Sequence, residues 1–178
     1  MFRIGITPSA LINEYLGFQL NAAINLTCKF QVNLEAGKII VAALSDLSDV
    51  KGYRIRPALR YYVIENKEYL MHVSLAYNFR KTIVKRTENF SFTGHLDDII
   101  ADFEQIIKME GLAAMVGVDI YIGNRLIIDI GIGLSDIDIS NQNAPEGGIR
   151  EFHTFKKYEK TGEKYPLIIS NMRVQYIF

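Results

Sequence analysis

Arginines and acids recur at alternate positions of extended segments, and they are the residues of this chain best suited to ionic chemistry. Arginine presents a planar fork of donors that can bind a carboxylate through two hydrogen bonds, and it is the preferred cation for buried pairs. Such a set could line an ion path, or it could fill an interior too narrow to conduct. We predict an ion-pair network of nine residues: Arg3, Glu35, Arg54, Arg56, Arg60, Arg80, Asp119, Asp129 and Arg173.

Histidine and serine offer a second kind of chemistry. His72 and Ser74 share one face of an extended segment and could act as a base and a nucleophile. His95 and His153 fall in predicted loops, with three further polar residues nearby: Ser91, Asp97 and Glu151. A catalytic triad is recognised by its geometry, so loop residues in one sequence do not define it. We predict no catalytic residue, and an enzyme remains an alternative.

Two groups of residues could offer oxygen or nitrogen ligands to a metal ion. They are His95 with Asp97 and Asp98, and Asp136 with Asp138. Neither group has the ligand spacing of a zinc site or of an EF-hand loop. We therefore predict solvated charges at these positions, with no metal and no cofactor.

An alternation of apolar and polar residues predicts the strands that must position these side chains. At the end of the chain, Met172, Val174, Tyr176 and Phe178 alternate with residues that are mostly polar. A strand has a side-chain period of two, so this segment has one apolar face. The same pattern recurs over 2–7, 16–26, 30–37, 53–63, 69–80, 114–122 and 126–135. The pattern predicts roughly eight strands of about 9–12 residues, the length that a tilted transmembrane strand needs.

The predicted connections between these strands are of two kinds. Tight turns follow the second, fourth and sixth strands, at 27–29, 65–68 and 123–125. Long loops follow the third, fifth and seventh strands, at about 45–52, 87–111 and 140–166. Short turns at one end and long loops at the other are typical of an outer-membrane barrel, in which the short turns are periplasmic.

Alternation by itself does not decide which face of a barrel points inward. A soluble lipocalin-type barrel is apolar inside, whereas a membrane barrel is apolar outside. The polar faces here are rich in small residues and arginine, which suit a crowded interior. Aromatic residues of the apolar faces cluster at the strand ends, as in two interfacial girdles. These residues are Phe2, Phe30, Tyr61, Tyr69, Tyr176 and Phe178 at one end, and Tyr53, Tyr77 and Phe79 at the other. The pattern favours the membrane barrel and keeps a soluble carrier of an apolar ligand as an alternative.

The C-terminal pattern of Met172, Val174, Tyr176 and Phe178 resembles the closing strand of bacterial outer-membrane β-barrels. Such proteins typically end in phenylalanine, and the resemblance implies that these four residues form the signal recognised by the assembly machinery. The whole chain is similar to the small eight-stranded class of the outer membrane protein A transmembrane domain. That resemblance implies an all-β, antiparallel, up-and-down transmembrane barrel over 1–178, in a Gram-negative outer membrane with both termini in the periplasm. The start, MFRIGITPSA, lacks the layout of a signal peptide, so we expect the sequence to be the mature part.

The resemblance also sets what we expect the protein to do. Eight strands leave an interior just wide enough for side chains, so the charges should fill it rather than conduct. We expect a non-enzymatic structural protein or an accessory subunit of a larger outer-membrane complex. A lipid-modifying outer-membrane enzyme is an alternative, since several small barrels of this class have that activity. The zero net charge gives no signal for nucleic acid, and no run of about 18 apolar residues predicts a transmembrane helix.

Two surface features could contact other molecules. Apolar residues at helical spacing, with Asp97 and Asp98 before them and Gly111 after them, predict a short amphipathic helix in the loop after the fifth strand. Because we expect polar groups to line the barrel mouth, this helix should lie over the outer rim, against lipid or a neighbouring protein. Its candidate contact residues are Leu96, Ile99, Ile100, Phe103 and Ile107, with Ile106 on the same stripe. Lysines beyond the strand ends could meet phosphates of lipopolysaccharide or remain solvated: Lys38, Lys81 and Lys85.

Overall fold

The computed structural model describes residues 1–8, 15–42, 49–90, 99–142 and 164–178, which form one closed antiparallel barrel. Its strands are β1 (Phe2–Ile6), β2 (Tyr15–Asn25), β3 (Phe30–Ala42), β4 (Asp49–Glu65), β5 (Tyr69–Phe90), β6 (Ile99–Ile122), β7 (Leu126–Gln142) and β8 (Lys164–Ile177). Each strand pairs with its neighbours in the sequence, and β1 pairs with β8 to close the barrel. The predicted all-β, eight-stranded, antiparallel barrel is confirmed. None of the described residues forms a helix that is long and apolar enough to cross a membrane.

Short turns join the strands at one end of the barrel. Residues 26–29, 66–68 and 123–125 connect β2 to β3, β4 to β5 and β6 to β7. Gly123 has φ 64°, a left-handed conformation that glycine adopts without steric cost. Both chain termini lie at the same end, where Phe178 N donates to Phe2 O at 3.1 Å. The other connections, at 9–14, 43–48, 91–98 and 143–163, lie outside the described residues.

Several strands are much longer than the predicted 9–12 residues. The strands β5 and β6 have 22 and 24 residues, and β4 and β7 have 17 each. Much of the predicted loop 87–111 is therefore strand, and β4, β7 and β8 also extend into predicted loops. The ladder between β5 and β6 runs from Tyr69↔Ile120 to Phe90↔Ile99. Cross-strand hydrogen bonds along this ladder satisfy backbone groups that a loop would leave to water.

The predicted helix in the loop after the fifth strand is wrong. Residues 99–107 belong to β6, so Ile99, Ile100, Phe103, Ile106 and Ile107 lie in a strand, and Leu96 lies outside the described residues. A helix of about three turns is marginal in water, whereas pairing with β5 gives the same backbone groups fixed partners. A segment with apolar residues on both faces fits the period of a helix as well as that of a strand. Here the pairing with β5 selects the strand.

Burial alternates along each strand, with polar residues inside and apolar residues outside. In β3, Gln31, Asn33 and Glu35 are buried, and the intervening Val32 and Leu34 are exposed. In β7, Asp129 is fully buried, whereas Leu134 on the opposite face is 62% exposed. The barrel therefore has a polar interior and an apolar exterior over most of its height.

The lumen becomes less polar toward the end of the barrel opposite the short turns, which we call the long-strand end. The register places Ile39, Gly52, Thr82 and Ile107 in one row across β3 to β6, and Val50 pairs with Val84 in the next row. Ile107, predicted as a contact residue for a partner, is only 8% exposed and belongs to this interior. Thr82 and Gln105 are polar members of this mostly aliphatic set, so the described part of this end is less polar than we expected of the barrel mouth.

Candidate functional site

The charged interior forms where two carboxylates meet on neighbouring strands. Asp119 of β6 and Asp129 of β7 are direct cross-strand partners, and both are fully buried. Like charges in that position repel, and a buried ion is strongly unfavourable without partners. The arrangement therefore depends on cations supplied by other strands.

Arginines from three strands bind these two carboxylates. Arg3 of β1 forms an ion pair with Asp119, and Arg173 of β8 forms one with Asp129. Arg60 of β4 lies between them, with its Nη1 atom 3.4 Å from Asp119 Oδ1 and its Nη2 atom paired with Asp129 Oδ2. The two acids are thus held together by guanidinium groups that reach across the lumen.

Tyr62 and His72 complete the environment of the two carboxylates. Tyr62 Oη donates to Asp119 Oδ2 at 2.9 Å. His72 Nε2 lies 3.2 Å from Asp129 Oδ1, and because a carboxylate only accepts, Nε2 carries the proton in this hydrogen bond. The sequence places Tyr62 and His72 on polar strand faces, but we did not predict that they belong to the ion-pair network.

Glu35 of β3 extends the network toward the long-strand end. It forms an ion pair with Arg173, and Gln19 Nε2 donates to its Oε2 atom at 2.6 Å. Arg56 Nη1 lies 3.8 Å from the same Oε2 atom. Seven of the nine predicted residues are therefore linked in one set, which we call the lumen cluster: Arg3, Glu35, Arg56, Arg60, Asp119, Asp129 and Arg173.

Amide side chains pack below the lumen cluster, toward the short turns. Gln175 Nε2 donates to Asn21 Oδ1 at 2.7 Å, and Gln31 Nε2 donates to Asn25 Oδ1 at 2.8 Å. Ile127 is also fully buried in this part of the lumen. Paired charges and bonded amides fill the interior here, so the arrangement is chemically suited to rigidify the barrel.

The other two predicted residues, Arg54 and Arg80, lie above the lumen cluster. They are direct cross-strand partners on β4 and β5. Both line a cavity of about 320 Å³ that Arg56 and Glu35 also border. The structure thus divides the nine predicted residues between the lumen cluster and the Arg54–Arg80 pair of positions above it.

One group of side chains has the composition of a metal site. Ligand atoms of His72, Asp119 and Asp129 lie within 4.8 Å of one another. The guanidinium groups of Arg3, Arg60 and Arg173 already contact these carboxylates, so the positive charge that a metal ion would bring is present. The group fits an ion-pair network better than a cation site.

The remaining chemical candidates are dispersed. Ser74 is half-buried on the same strand as His72, whose Nε2 atom is engaged with Asp129. Asp136 and Asp138 are exposed on β7. Five candidates with ligand or catalytic potential, together with His153, lie outside the described residues: Ser91, His95, Asp97, Asp98 and Glu151.

The outer surface carries aromatic pairs near both ends of the barrel. At the short-turn end, Phe178 lies 6.2 Å from Phe2 and 5.0 Å from Tyr176 between ring centroids, and Phe30 packs on Tyr61. At the other end, the Tyr53 and Phe79 rings are 5.8 Å apart. Met172 and Tyr176 of β8 are exposed, as is Phe178 directly after it, and Val174 is half-buried.

The lysines considered for lipid contact lie within strands. The register aligns Lys38, Tyr53, Lys81 and Lys108 across β3 to β6. Lys85 Nζ lies 3.8 Å from Glu104 Oε1 on the exposed part of the long hairpin. Lys38, Lys81 and Lys108 therefore lie at one level of the outer surface, and Lys85 lies farther along β5.

Comparison with known proteins gives no relative from which a role could be taken. No protein-family model, no curated protein and no solved structure matches the chain.

Proposed function

We propose that this chain is a transmembrane β-barrel of a bacterial outer membrane that neither conducts ions nor catalyses a reaction. It would serve as a structural protein or as an accessory subunit of a larger outer-membrane complex. The observation that supports the proposal is that the barrel is polar inside and apolar outside, the reverse of a soluble barrel. Buried ion pairs lie inside, and exposed aliphatic and aromatic side chains lie outside. A soluble protein rarely exposes so continuous an apolar surface.

The exposed apolar surface has the height that a membrane barrel requires. On β5, the outward residues from Tyr69 to Phe79 are apolar or aromatic, and Lys81 follows them. At about 3.3 Å per residue and a tilt of about 40°, this span covers roughly 25 Å along the barrel axis. That value matches the apolar band of outer-membrane barrels. The aromatic pairs at both ends lie where interfacial girdles would be.

The alternative functions find less support among the described residues. A carrier of an apolar ligand needs an apolar cavity and a polar exterior, whereas this lumen holds the lumen cluster at mid-height. A lipid-modifying enzyme needs a base and a nucleophile at the outer rim. His72, the only histidine among the described residues, is buried in the lumen beside Asp129. The structural role therefore agrees best with the geometry.

The proposal is tested by exporting the protein behind a cleavable signal peptide and fractionating the cells. We expect the protein in the outer-membrane fraction, extracted only by detergent. On unboiled gels it should migrate as a compact form that heating converts to an extended one. Co-purification of other proteins in mild detergent would then indicate an accessory subunit, and their absence a structural protein that acts alone. Recovery as a soluble protein without detergent would exclude the membrane location.

We predict that the purified barrel does not conduct ions. The lumen cluster and the amides below it occupy the interior with paired, buried side chains. Planar-bilayer recordings should therefore show no stable, large opening steps. Recordings from the unmodified protein are compared with those from an Arg60→Ala variant, which lacks the guanidinium group that contacts Asp119 and Asp129. Large, open-pore steps from the unmodified protein would contradict the filled interior.

We predict that deletion of Phe178 lowers insertion in cells. Phe178 is 71% exposed and contacts two other rings of the proposed girdle, those of Phe2 and Tyr176. It is also the last residue of the proposed assembly signal. The amount of heat-modifiable protein in the outer membrane should fall, whereas Phe178→Tyr should retain most of it. Equal amounts of folded barrel with and without Phe178 would show that the terminal ring is not needed.

A further inference from the structure

Three lysines stand in one row on the outer surface at the long-strand end. Lys38, Lys81 and Lys108 share this row with Tyr53, and Lys81 is the direct cross-strand partner of Lys108. Lys38 is exposed, and Lys81 and Lys108 are half-buried. The residues that follow Lys38 and Lys81, and both neighbours of Lys108, are buried in the lumen, so the three lysines face outward.

The charge of this row is not compensated within the part of the barrel that the structure describes. No ion pair joins any of the three lysines to a described residue. Glu110 is the next outward residue after Lys108 on β6, but its carboxylate accepts a hydrogen bond from Tyr77 Oη at 3.0 Å. Like charges in directly opposed positions disfavour the pairing of two strands. An anion from outside the chain would therefore stabilise the Lys81–Lys108 pair.

Aromatic and aliphatic side chains adjoin the lysine row. Tyr53 lies between Lys38 and Lys81 in the register, and the centroid of its ring is 5.8 Å from that of Phe79. Ile55, the next outward residue on β4, is 39% exposed. Cations beside an aromatic ring are typical of the boundary between lipid headgroups and acyl chains. An anion that also carries acyl chains fits this surface better than a soluble anion does.

We propose that Lys38, Lys81 and Lys108 bind the phosphate groups of a lipopolysaccharide-type lipid, a glycolipid with several acyl chains and phosphate monoesters. The proposal rests on the membrane location proposed above and names the lipid and the place of contact. The short turns form the proposed periplasmic end, so the lysine row faces the outer leaflet. Lys81 and Lys108 would hold one phosphate as point charges. Lys38 stands two strands away from Lys81, at about 10 Å, within reach of a second phosphate.

The test is native mass spectrometry of the refolded, lipid-free barrel in a glucoside detergent. Diphosphoryl lipid A, the same glycolipid without phosphates, and phosphatidylglycerol are titrated separately. We expect saturable binding of lipid A that is about tenfold or more tighter than that of the other two lipids. Equal binding of the phosphate-free glycolipid would assign the affinity to acyl chains, and equal binding of phosphatidylglycerol would assign it to unselective charge attraction. Either result, or displacement of lipid A by inorganic phosphate, would overturn the proposal.

Matched variants locate the site. A lysine near a lipid surface contributes about a fivefold factor in affinity, so Lys81→Gln combined with Lys108→Gln should weaken lipid A binding about thirtyfold. Lys38→Gln alone should weaken it about fivefold. Lys29→Gln combined with Lys67→Gln removes two charges from exposed positions at the short-turn end and should leave the affinity unchanged. Equal losses in the two double variants would show that net charge alone attracts the lipid, which would overturn the proposal.

Unboiled gels verify that each variant is folded. If the Lys81→Gln and Lys108→Gln double variant does not fold, Lys108→Gln alone takes its place, and unchanged affinity in that variant would overturn the proposal.

The lipid site and the membrane location can fail separately. Cell fractionation tests the location, whereas the titration uses the purified barrel. A barrel that is found in the outer-membrane fraction but binds no lipid A would overturn the lipid site and leave the membrane proposal intact. Recovery as a soluble protein would overturn both, because the protein would then not meet the outer leaflet.

Discussion

Replacing Val116 by arginine should destabilise the membrane-inserted barrel by about 2–4 kcal/mol. Val116 is 57% exposed and lies at mid-height on β6, between its cross-strand partners Val73 and Ile132. If this face contacts lipid, the substitution places a charge near the middle of the bilayer. Reversible urea unfolding in phospholipid vesicles, followed by the compact form on unboiled gels, measures the change in the free energy of unfolding.

Asp138→Arg is the matched control for the Val116 substitution. Asp138 is exposed on β7, beyond the apolar residues that end at Leu134. The new arginine would then lie in water, and we expect a change within about 0.5 kcal/mol. Equal effects of the two substitutions would argue that the outer face does not contact lipid.

Replacing Arg60 by methionine should cost about 3–5 kcal/mol of stability. Arg60 is 1% exposed and contacts both Asp119 and Asp129, which are adjacent on β6 and β7. Methionine fills much of the same volume but leaves the two carboxylates with less compensating charge. The same unfolding measurement in vesicles determines the loss.

Two further variants test whether buried charge causes the Arg60 effect. Lys85→Met breaks the exposed pair with Glu104 and should change the stability by no more than about 1 kcal/mol. Adding Asp129→Asn to Arg60→Met removes one of the two carboxylates and should restore part of the loss. An Arg60→Met effect as small as that of Lys85→Met would show that the lumen cluster contributes little to stability.

The existence of the eight strands was predictable because apolar and polar side chains alternate with the period of a strand. The inward face was inferred from the small residues and arginines of the polar faces, and this inference assigned Arg60 and Asp129 to one interior. Their pairing could not be predicted, because it depends on strand register and barrel closure. Arg3 and Asp119, for example, are separated by 116 positions in the sequence and meet only in the closed barrel. The cavity beside Arg54 depends on the same long-range geometry.

The failed helix prediction has a related cause. Residues 99–107 carry apolar side chains at spacings that suit a helix, but their backbone pairs with residues 82–90 of β5. Local periodicity contains no information about the length of a distant partner strand. The same error concealed the buried position of Ile107, because this residue was assigned to a helix surface rather than to the inward face of β6.

The short β1 has a consequence for how the barrel closes and opens. β1 pairs with β8 only from Arg3↔Ile177 to Ile6↔Val174, whereas β5 pairs with β6 along its whole length, from Tyr69 to Phe90. Local hairpins such as β5–β6 need little loop closure and can form early, but the β1–β8 seam joins strands that are far apart in the sequence, so we expect it to form late. Arg3 and Arg173, one on each seam strand, extend across the lumen to Asp119 and Glu35. The ion pairs of Arg3 and Arg173 therefore connect β1 and β8 to strands across the lumen. These contacts supplement the β1–β8 ladder, which is short.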